Sequence, residues 1–142
     1  MNFSQIEIKK LDVEATLPTR AHADDAGLDL YCLEDVVLTS GQGKRVKTGI
    51  AVALQKGFVG LIADRSSLAL KGLKTAGGVI DAGYRGEIQI VLWNIGSDEV
   101  RVQRGERIAQ MLILPIATPA VKEVGELDQT TRGSGGFGSS GK

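Results

Sequence analysis

Apolar residues along this chain fall in short runs broken by glycines and polar turns. The runs are Ile6–Leu11, Leu28–Leu33, Val36–Leu38, Ile50–Leu54, Val59–Ala63, Glu87–Trp93, Val100–Val102 and Arg107–Ile116. Between them lie Gly41/Gly43, Gly49, Gly57/Gly60, Gly72, Gly77/Gly78, Gly83/Gly86, Gly96 and Gly105. Short strands spaced roughly 8–12 residues apart, with turn residues between them, predict an all-β sandwich or closed barrel. Helical periodicity is confined to Ser66–Lys71, where Ser66 is placed to cap, Leu68 and Leu70 are apolar and Gly72 ends the turn. One short helix near 66–71 is expected. From Gly125 onward the chain has almost nothing to bury, and Thr130–Lys142 reads TTRGSGGFGSSGK. The expected organisation is one β domain over 1–124 and a flexible Gly/Ser-rich arm over 125–142.

Composition narrows the classes of function. A length of 142 residues fits one domain. The charges balance at 17 Lys+Arg against 17 Asp+Glu, so bulk electrostatic capture of nucleic acid or an acidic membrane is not expected. Aromatics make up only 4% of the chain, which argues against base-stacking platforms for single strands. Cys32 is the single cysteine, excluding an intrachain disulfide and a thiolate zinc cage, and it suits a reducing compartment. The N-terminus alternates polar and apolar residues, unlike a signal peptide. The strongest apolar stretch, Met111–Ile116, is far short of the ~20 residues that span a bilayer. A soluble, cytoplasmic protein is expected. The ending Gly136-Phe-Gly-Ser-Ser-Gly141-Lys142 imitates the front of a phosphate loop but lacks the hydroxyl and helix that complete one.

Four segments carry more chemistry than a plain β domain needs. Ala23–Leu30 crowds three carboxylates around one glycine, with Asp29 on the strand face opposite Leu28 and Leu30. That is either an Asp-rich turn or an oxygen-rich neighbourhood for a hard cation. Asp64–Lys71 sets hydroxyls beside Arg65, as helix capping or as an anion pocket. Ala76–Glu87 holds Gly77, Gly78, Gly83 and Gly86 with Asp81 and Tyr84, a hairpin whose backbone can approach a flat ligand. In Arg104–Leu112, Gln110 falls on the face of Ile108 and Leu112 and is expected to point inward.

In order, these segments and the tail resemble the five motifs of the trimeric dUTP pyrophosphatases (dUTPases). The motifs are DAGLDL at 25–30, RSSLALKG at 65–72, GGVIDAGYRGEI at 77–88, GERIAQ at 105–110 and RGSGGFGSSG at 132–141. The resemblance implies a homotrimer of jelly-roll-like β-barrel or sandwich subunits with active sites across subunit contacts. It also implies hydrolysis of dUTP to dUMP and pyrophosphate with Mg²⁺, which limits uracil in DNA and supplies dUMP for thymidylate synthesis. Asp81 matches the water-activating base. Tyr84 would pack on the deoxyribose, and the main chain of Gly78, Val79, Ile80 and Asp81 would read the uracil edge; Gln89 belongs to the same substrate-binding set. Arg65, Ser66, Ser67 and Gln110 match phosphate contacts. Asp29 matches an acidic position reaching the metal through water, with Mg²⁺ held mainly by the substrate's phosphates. From the arm, Phe137 would stack on uracil while Arg132, Gly138 and Ser139 grip the terminal phosphates.

Two positions depart from the family pattern. Asp64 stands where the family commonly has Pro, and is expected to pair with Arg65 or to repel phosphate. Thr75 stands where several relatives carry Asn. The dCTP deaminases share the fold and resemble RSSLA at 65–69, but continue with arginine where this chain has Leu70 and place a glutamate where it has Leu92 or Trp93. A non-catalytic nucleotide-binding β trimer is the remaining alternative, against which stand Asp81, Tyr84, Arg132 and Phe137.

Overall fold

The computed structural model describes residues 3–139 and 141. The strands are β1 (Glu7–Lys10), β2 (Leu28–Tyr31), β3 (Val36–Leu38), β4 (Gly43–Lys47), β5 (Ile50–Ala53) and β6 (Phe58–Ala63). After helix α1 (Ser66–Leu70), the one helix among the described residues, follow β7 (Leu73–Ala76), β8 (Val79–Ile80), β9 (Gln89–Asn94), β10 (Val100–Val102) and β11 (Arg107–Pro115). They form sheets ordered β2-β11-β6-β8 and β4-β9-β7, with smaller pairs β1-β5 and β10-β3, every pairing antiparallel. The expected alternatives were a barrel or a sandwich; the sheets are sandwich-like, and no ladder among the described residues closes into a barrel.

The core follows from strand alternation. On β2, Leu28 and Leu30 face inward; on β9, Ile90, Leu92 and Asn94 do. They meet Val46, Ile50, Val102, Ile108 and Met111 in one cluster. Asn94 is wholly buried yet satisfied: its amide donates to the carbonyls of Leu38 and Asp98, and its Oδ1 accepts from Gly96 N–H. Cys32 is buried too, where desolvation pushes its thiol pKa up.

The structure corrects the sequence reading in three places. Strands β4 and β7 lie where no apolar run marks them, because only Val46 of Gly43–Lys47 and only Leu73 of Leu73–Ala76 are buried. The central strand β9 holds both through backbone pairing. The helix starts at Ser66 as expected, but the cap is not Ser66: Arg65, extended at φ −94° and ψ 132°, occupies the cap position without a side-chain cap, and Ser66 lies in the first turn. Gly72 does end it, at φ +89° and so close to Gly96 that a Cβ would approach the Gly96 backbone to 2.9 Å. Finally, the register of β11 shifts between Arg107 and Ala109. That bulge buries Ile108 together with Ala109 and Met111 and turns Gln110 away from the core.

No helix of the described residues is long and apolar enough to cross a membrane. Beyond Ile116 the described chain has no strand or helix and stays exposed almost throughout.

Candidate active site

The first cluster of chemistry forms where β2, β11 and the end of β6 adjoin. Strand alternation places Asp29 opposite Leu28 and Leu30, and its carboxylate, only 14% exposed, lies between Arg65 Nε at 3.3 Å and Arg107 Nη1 at 3.4 Å. Arg65 also donates to the Arg107 carbonyl at 3.3 Å. Two guanidinium groups around one carboxylate leave a local positive excess, and the exposed Ser66 and Ser67 lie next along the chain. Gln110 is half-buried and donates through Nε2 to the Asp64 carbonyl at 2.8 Å. The glycine of DAGLDL makes room for it: a Cβ on Gly27 would sit 2.0 Å from Gln110 Oε1. Guanidinium, hydroxyl and amide donors in this arrangement can bind an anion.

Asp64 turns away from this cluster. Its Oδ1 accepts from Thr75 N–H at 2.7 Å and Thr75 Oγ1 at 2.6 Å, and its Oδ2 from Lys74 Nζ at 2.6 Å. Partial burial works to raise its pKa, but the bonds from Lys74 and Thr75 outweigh that and hold the carboxyl below the usual carboxylate range. The expected pairing with Arg65 is therefore replaced by pairing with β7, and the Thr75 hydroxyl is already engaged.

The second cluster surrounds a cavity of about 170 Å³ lined by Val79, Ile80, Asp81, Tyr84, Glu87 and Gln89. Strand β8 is an edge strand, joined to β6 alone. Ile62 N–H donates to the Gly78 carbonyl at 2.8 Å, so that oxygen is taken. In an antiparallel ladder the next residue points its amide and carbonyl the other way, which leaves those of Val79 on the free edge. Gly78 itself needs its φ of +98°, and lies so close to β6 that a Cβ would approach Ile62 Cβ to 3.0 Å. Past β8 the chain turns: Tyr84 N–H donates to the Asp81 carbonyl, and Arg85 donates to the carbonyls of Ala82 and Tyr84. This leaves the Asp81 side chain exposed at the turn. Tyr84 lies across Gly86, where a Cβ would meet its hydroxyl at 2.5 Å, and donates to the Glu87 carbonyl at 2.9 Å.

Sequence reasoning missed Arg107 and Glu87. Arg107 is the arginine of GERIAQ, and only the bulge beside it brings it onto Asp29. Glu87 accepts from Gly49 N–H at 2.9 Å and from Gln89 Nε2 at 3.0 Å, fixing the Gln89 amide with its oxygen free. Its partner Gly49 is 38 residues away, so no local pattern announces the contact.

The two clusters stand apart within one chain. Asp81 follows Ile80, which pairs with Gly60, whereas Arg65 lies beyond the far end of the same β6. Six residues of extended chain separate those levels, roughly 20 Å. The arm is a third separate piece: Arg132 donates to the Gly135 carbonyl, Ser139 Oγ accepts from Gly136 N–H, and Phe137 is fully exposed at φ +50°. Ser140, within the expected fifth motif, lies outside the described residues. Among the described residues no three His, Cys, Asp or Glu side chains converge to hold a metal. With both its oxygens turned to arginines, Asp29 fits a cation reached through water and not one bound directly.

The chain is also similar to proteins of known activity and structure. The chain is 50% identical to a deoxyuridine 5'-triphosphate nucleotidohydrolase of Nocardia farcinica, over 98% of this chain and 87% of that protein. It is 46% identical to that of Rhodococcus erythropolis, over 96% of this chain and 85% of the relative. Among solved structures it is similar to a variant dUTPase of Staphylococcus bacteriophage 80alpha with dUpNHpp, with a TM-score of 0.93, 34% identity and coverage of 98% and 99% of the two chains. It is also similar to a variant dUTPase of phage phi11 of S. aureus whose structure details the coordination of a structural Mg(II) ion, with a TM-score of 0.83, 30% identity and coverage of 88% and 99%. The sequence model of the dUTPase family matches residues 13–141, and on that match and these likenesses the chain belongs to the dUTPase family.

Proposed function

We propose that this chain hydrolyses dUTP to dUMP and pyrophosphate in a homotrimer whose active sites join the two clusters from neighbouring subunits. The carrying observation is their separation of roughly 20 Å along β6. A general base must come within hydrogen-bond reach of the water it activates, so Asp81 and Arg65 of one chain cannot serve the same reacting phosphate. A second subunit brings the missing half.

In the assembled site Asp81 takes a proton from the water attacking the α-phosphorus, and pyrophosphate leaves. Arg65, Arg107, Ser66, Ser67 and Gln110 receive the phosphates, and this positioning is most of what phosphoryl transfer asks of a protein. Uracil lies along the free edge of β8, where the Val79 main chain and the Gln89 amide oxygen supply a fixed donor and acceptors. A cytosine would leave those groups mispaired. Tyr84, fixed across Gly86, closes the sugar side against a 2′-hydroxyl. Asp29 would hold, through water, a magnesium ion carried by the triphosphate, which would supply charge neutralisation when bound. The arm closes over the nucleotide, Phe137 stacking on the base and Arg132, Gly138 and Ser139 binding the outer phosphates, so that the reaction proceeds away from bulk water. A single buried thiol accords with a cytoplasmic setting.

Pyrophosphate release from dUTP, UTP, dCTP and dTTP tests the substrate assignment. Release from dUTP alone is expected. Equal release from UTP would remove Tyr84 from its role, and ammonia release from dCTP would favour the deaminase alternative.

A further inference from the structure

We infer that Asp64 is a positioning residue that locks the phosphate-binding turn to the neighbouring sheet, with Thr75 as its obligate partner. This rests on the reading of Arg65, Ser66 and Ser67 as phosphate ligands. The chain leaves β6 at Ala63, stays extended through Arg65 and enters a helix of five residues whose cap residue makes no side-chain bond. The Arg65 side chain reaches Asp29 and the Arg107 carbonyl, each at 3.3 Å, but no capping side chain fixes the backbone that carries it. Asp64 supplies the constraint from outside. Its carboxylate receives three hydrogen bonds from Lys74 and Thr75 on β7, and its carbonyl receives one from Gln110 on β11.

Strand β7 is the edge of the β4-β9-β7 sheet, whereas β6 and β11 belong to the other large sheet. Asp64 thus ties the two sheets together at the residue directly before Arg65. Thr75 N–H, on the outer edge of β7, has the Asp64 carboxylate as its acceptor. The charge is also accommodated: Lys74 neutralises the carboxylate at 2.6 Å, and Arg65 remains free to face Asp29 and an incoming phosphate. The two departures from the family pattern, at 64 and 75, are one contact.

Steady-state kinetics and equilibrium binding of dUpNHpp and dUMP on the full chain test this. Asp64→Ala is expected to lower kcat/KM for dUTP by about 30-fold or more, since misplacing a positioning group by ~1 Å can cost ~100-fold. It should weaken dUpNHpp by about tenfold or more and dUMP by less than about threefold, because dUMP keeps only one of the three phosphates that the turn receives; a general loosening of the fold would weaken both alike. Asp64→Asn keeps an oxygen for both Thr75 bonds and should return kcat/KM to within about fivefold. Thr75→Val, which keeps the backbone bond and leaves the core untouched, should weaken dUpNHpp by about threefold to tenfold. Asp64→Ala with kcat/KM near wild type, equal losses in Asp64→Ala and Asp64→Asn, parallel loss of dUMP, or an unaffected Thr75→Val would each overturn the inference. Arg65→Ala separates the two levels. If it too is unaffected, the phosphate reading has failed; if it falls while Asp64→Ala does not, only the positioning role has.

Discussion

Mixing two inactive variants is the sharpest test of a site divided between subunits. Asp81→Asn removes the base from one half and should lower turnover by about 10²–10⁴-fold. Arg65→Ala removes a charge-assisted phosphate contact worth ~1.5–3 kcal/mol, about 10–150-fold in kcat/KM. In the proposed homotrimer, each variant alone gives assemblies in which every site carries the same defect. In a trimer drawn at random from equal amounts, each site takes its Arg65 from one subunit and its Asp81 from another. About a quarter of the sites then receive an intact residue in both places, by the arithmetic of a heterologous ring. On the proposed division this recovery follows from the placement of Asp81 and Arg65 at opposite ends of β6, roughly 20 Å apart, too far for one chain to bring both to the same phosphate. The assay is pyrophosphate release at subsaturating dUTP, after refolding the variants together and, as the control, separately before mixing. Recovery to about a quarter of wild-type activity in the co-refolded sample alone is expected. Activity no greater than the average of the separate variants would refute the division and require both clusters to act within one chain.

Asp81→Asn should lose turnover while dUpNHpp binding by isothermal titration stays within about threefold, since the base acts on the water and not on the base–sugar contacts. Chains ending at Thr131 should keep the Tm and oligomeric state of the full protein while losing most of kcat/KM; undiminished activity would refute closure by the arm. Gly27→Ala places a Cβ against Gln110 Oε1 at 2.0 Å and Gln110 Cβ at 3.0 Å, and because the latter atom adjoins the backbone the side chain cannot simply swing aside. It should cost about 1–3 kcal/mol in stability, read as a lower urea midpoint, and reduce kcat/KM as Gln110 leaves Asp64. An unchanged midpoint would show that the close fit at Gly27 has no energetic weight.

The apolar runs made most of the sandwich legible, because β2, β5, β6, β9 and β11 bury alternate or successive side chains that declare themselves in sequence. Strands β4 and β7 declare nothing. Lys44, Arg45 and Lys47 on one, and Lys74 and Thr75 on the other, are extended because β9 lies alongside with free backbone groups. Tertiary pairing decided their conformation, and periodicity had no access to it. The same division holds in the site. Asp81 and Tyr84 stand out within a glycine-rich stretch whose spacing is itself informative. Arg107 and Glu87 acquire meaning only through partners brought from 78 and 38 residues away. Asp64 and Thr75, eleven residues apart, looked like two separate irregularities until the turn between β6 and β7 closed them into one contact.

The position of β8 shows why such a site forms at an edge. Exposed strand edges invite pairing with other chains, and proteins usually blunt them by keeping them short. Here the edge is two residues long, flanked by Gly77 and Gly78 at positive φ and by the Asp81 turn, so a further strand finds little to pair with. A planar ligand needs less: one amide, one carbonyl and room to approach. Val79 supplies the first two on the side away from β6, and Gly77 and Gly83 border open space with no side chains of their own. Across the ladder Leu61 is exposed, as Val79 is, while Ile62 and Gly60 face the buried side, so the pair has one covered face, and its outer edge is open because β8 pairs with β6 alone. The hydrogen-bonding groups that would make a longer edge prone to aggregation are the ones a uracil ring can use. On the proposed reading, the brevity of β8 limits pairing with other chains while leaving a free amide and carbonyl for the base.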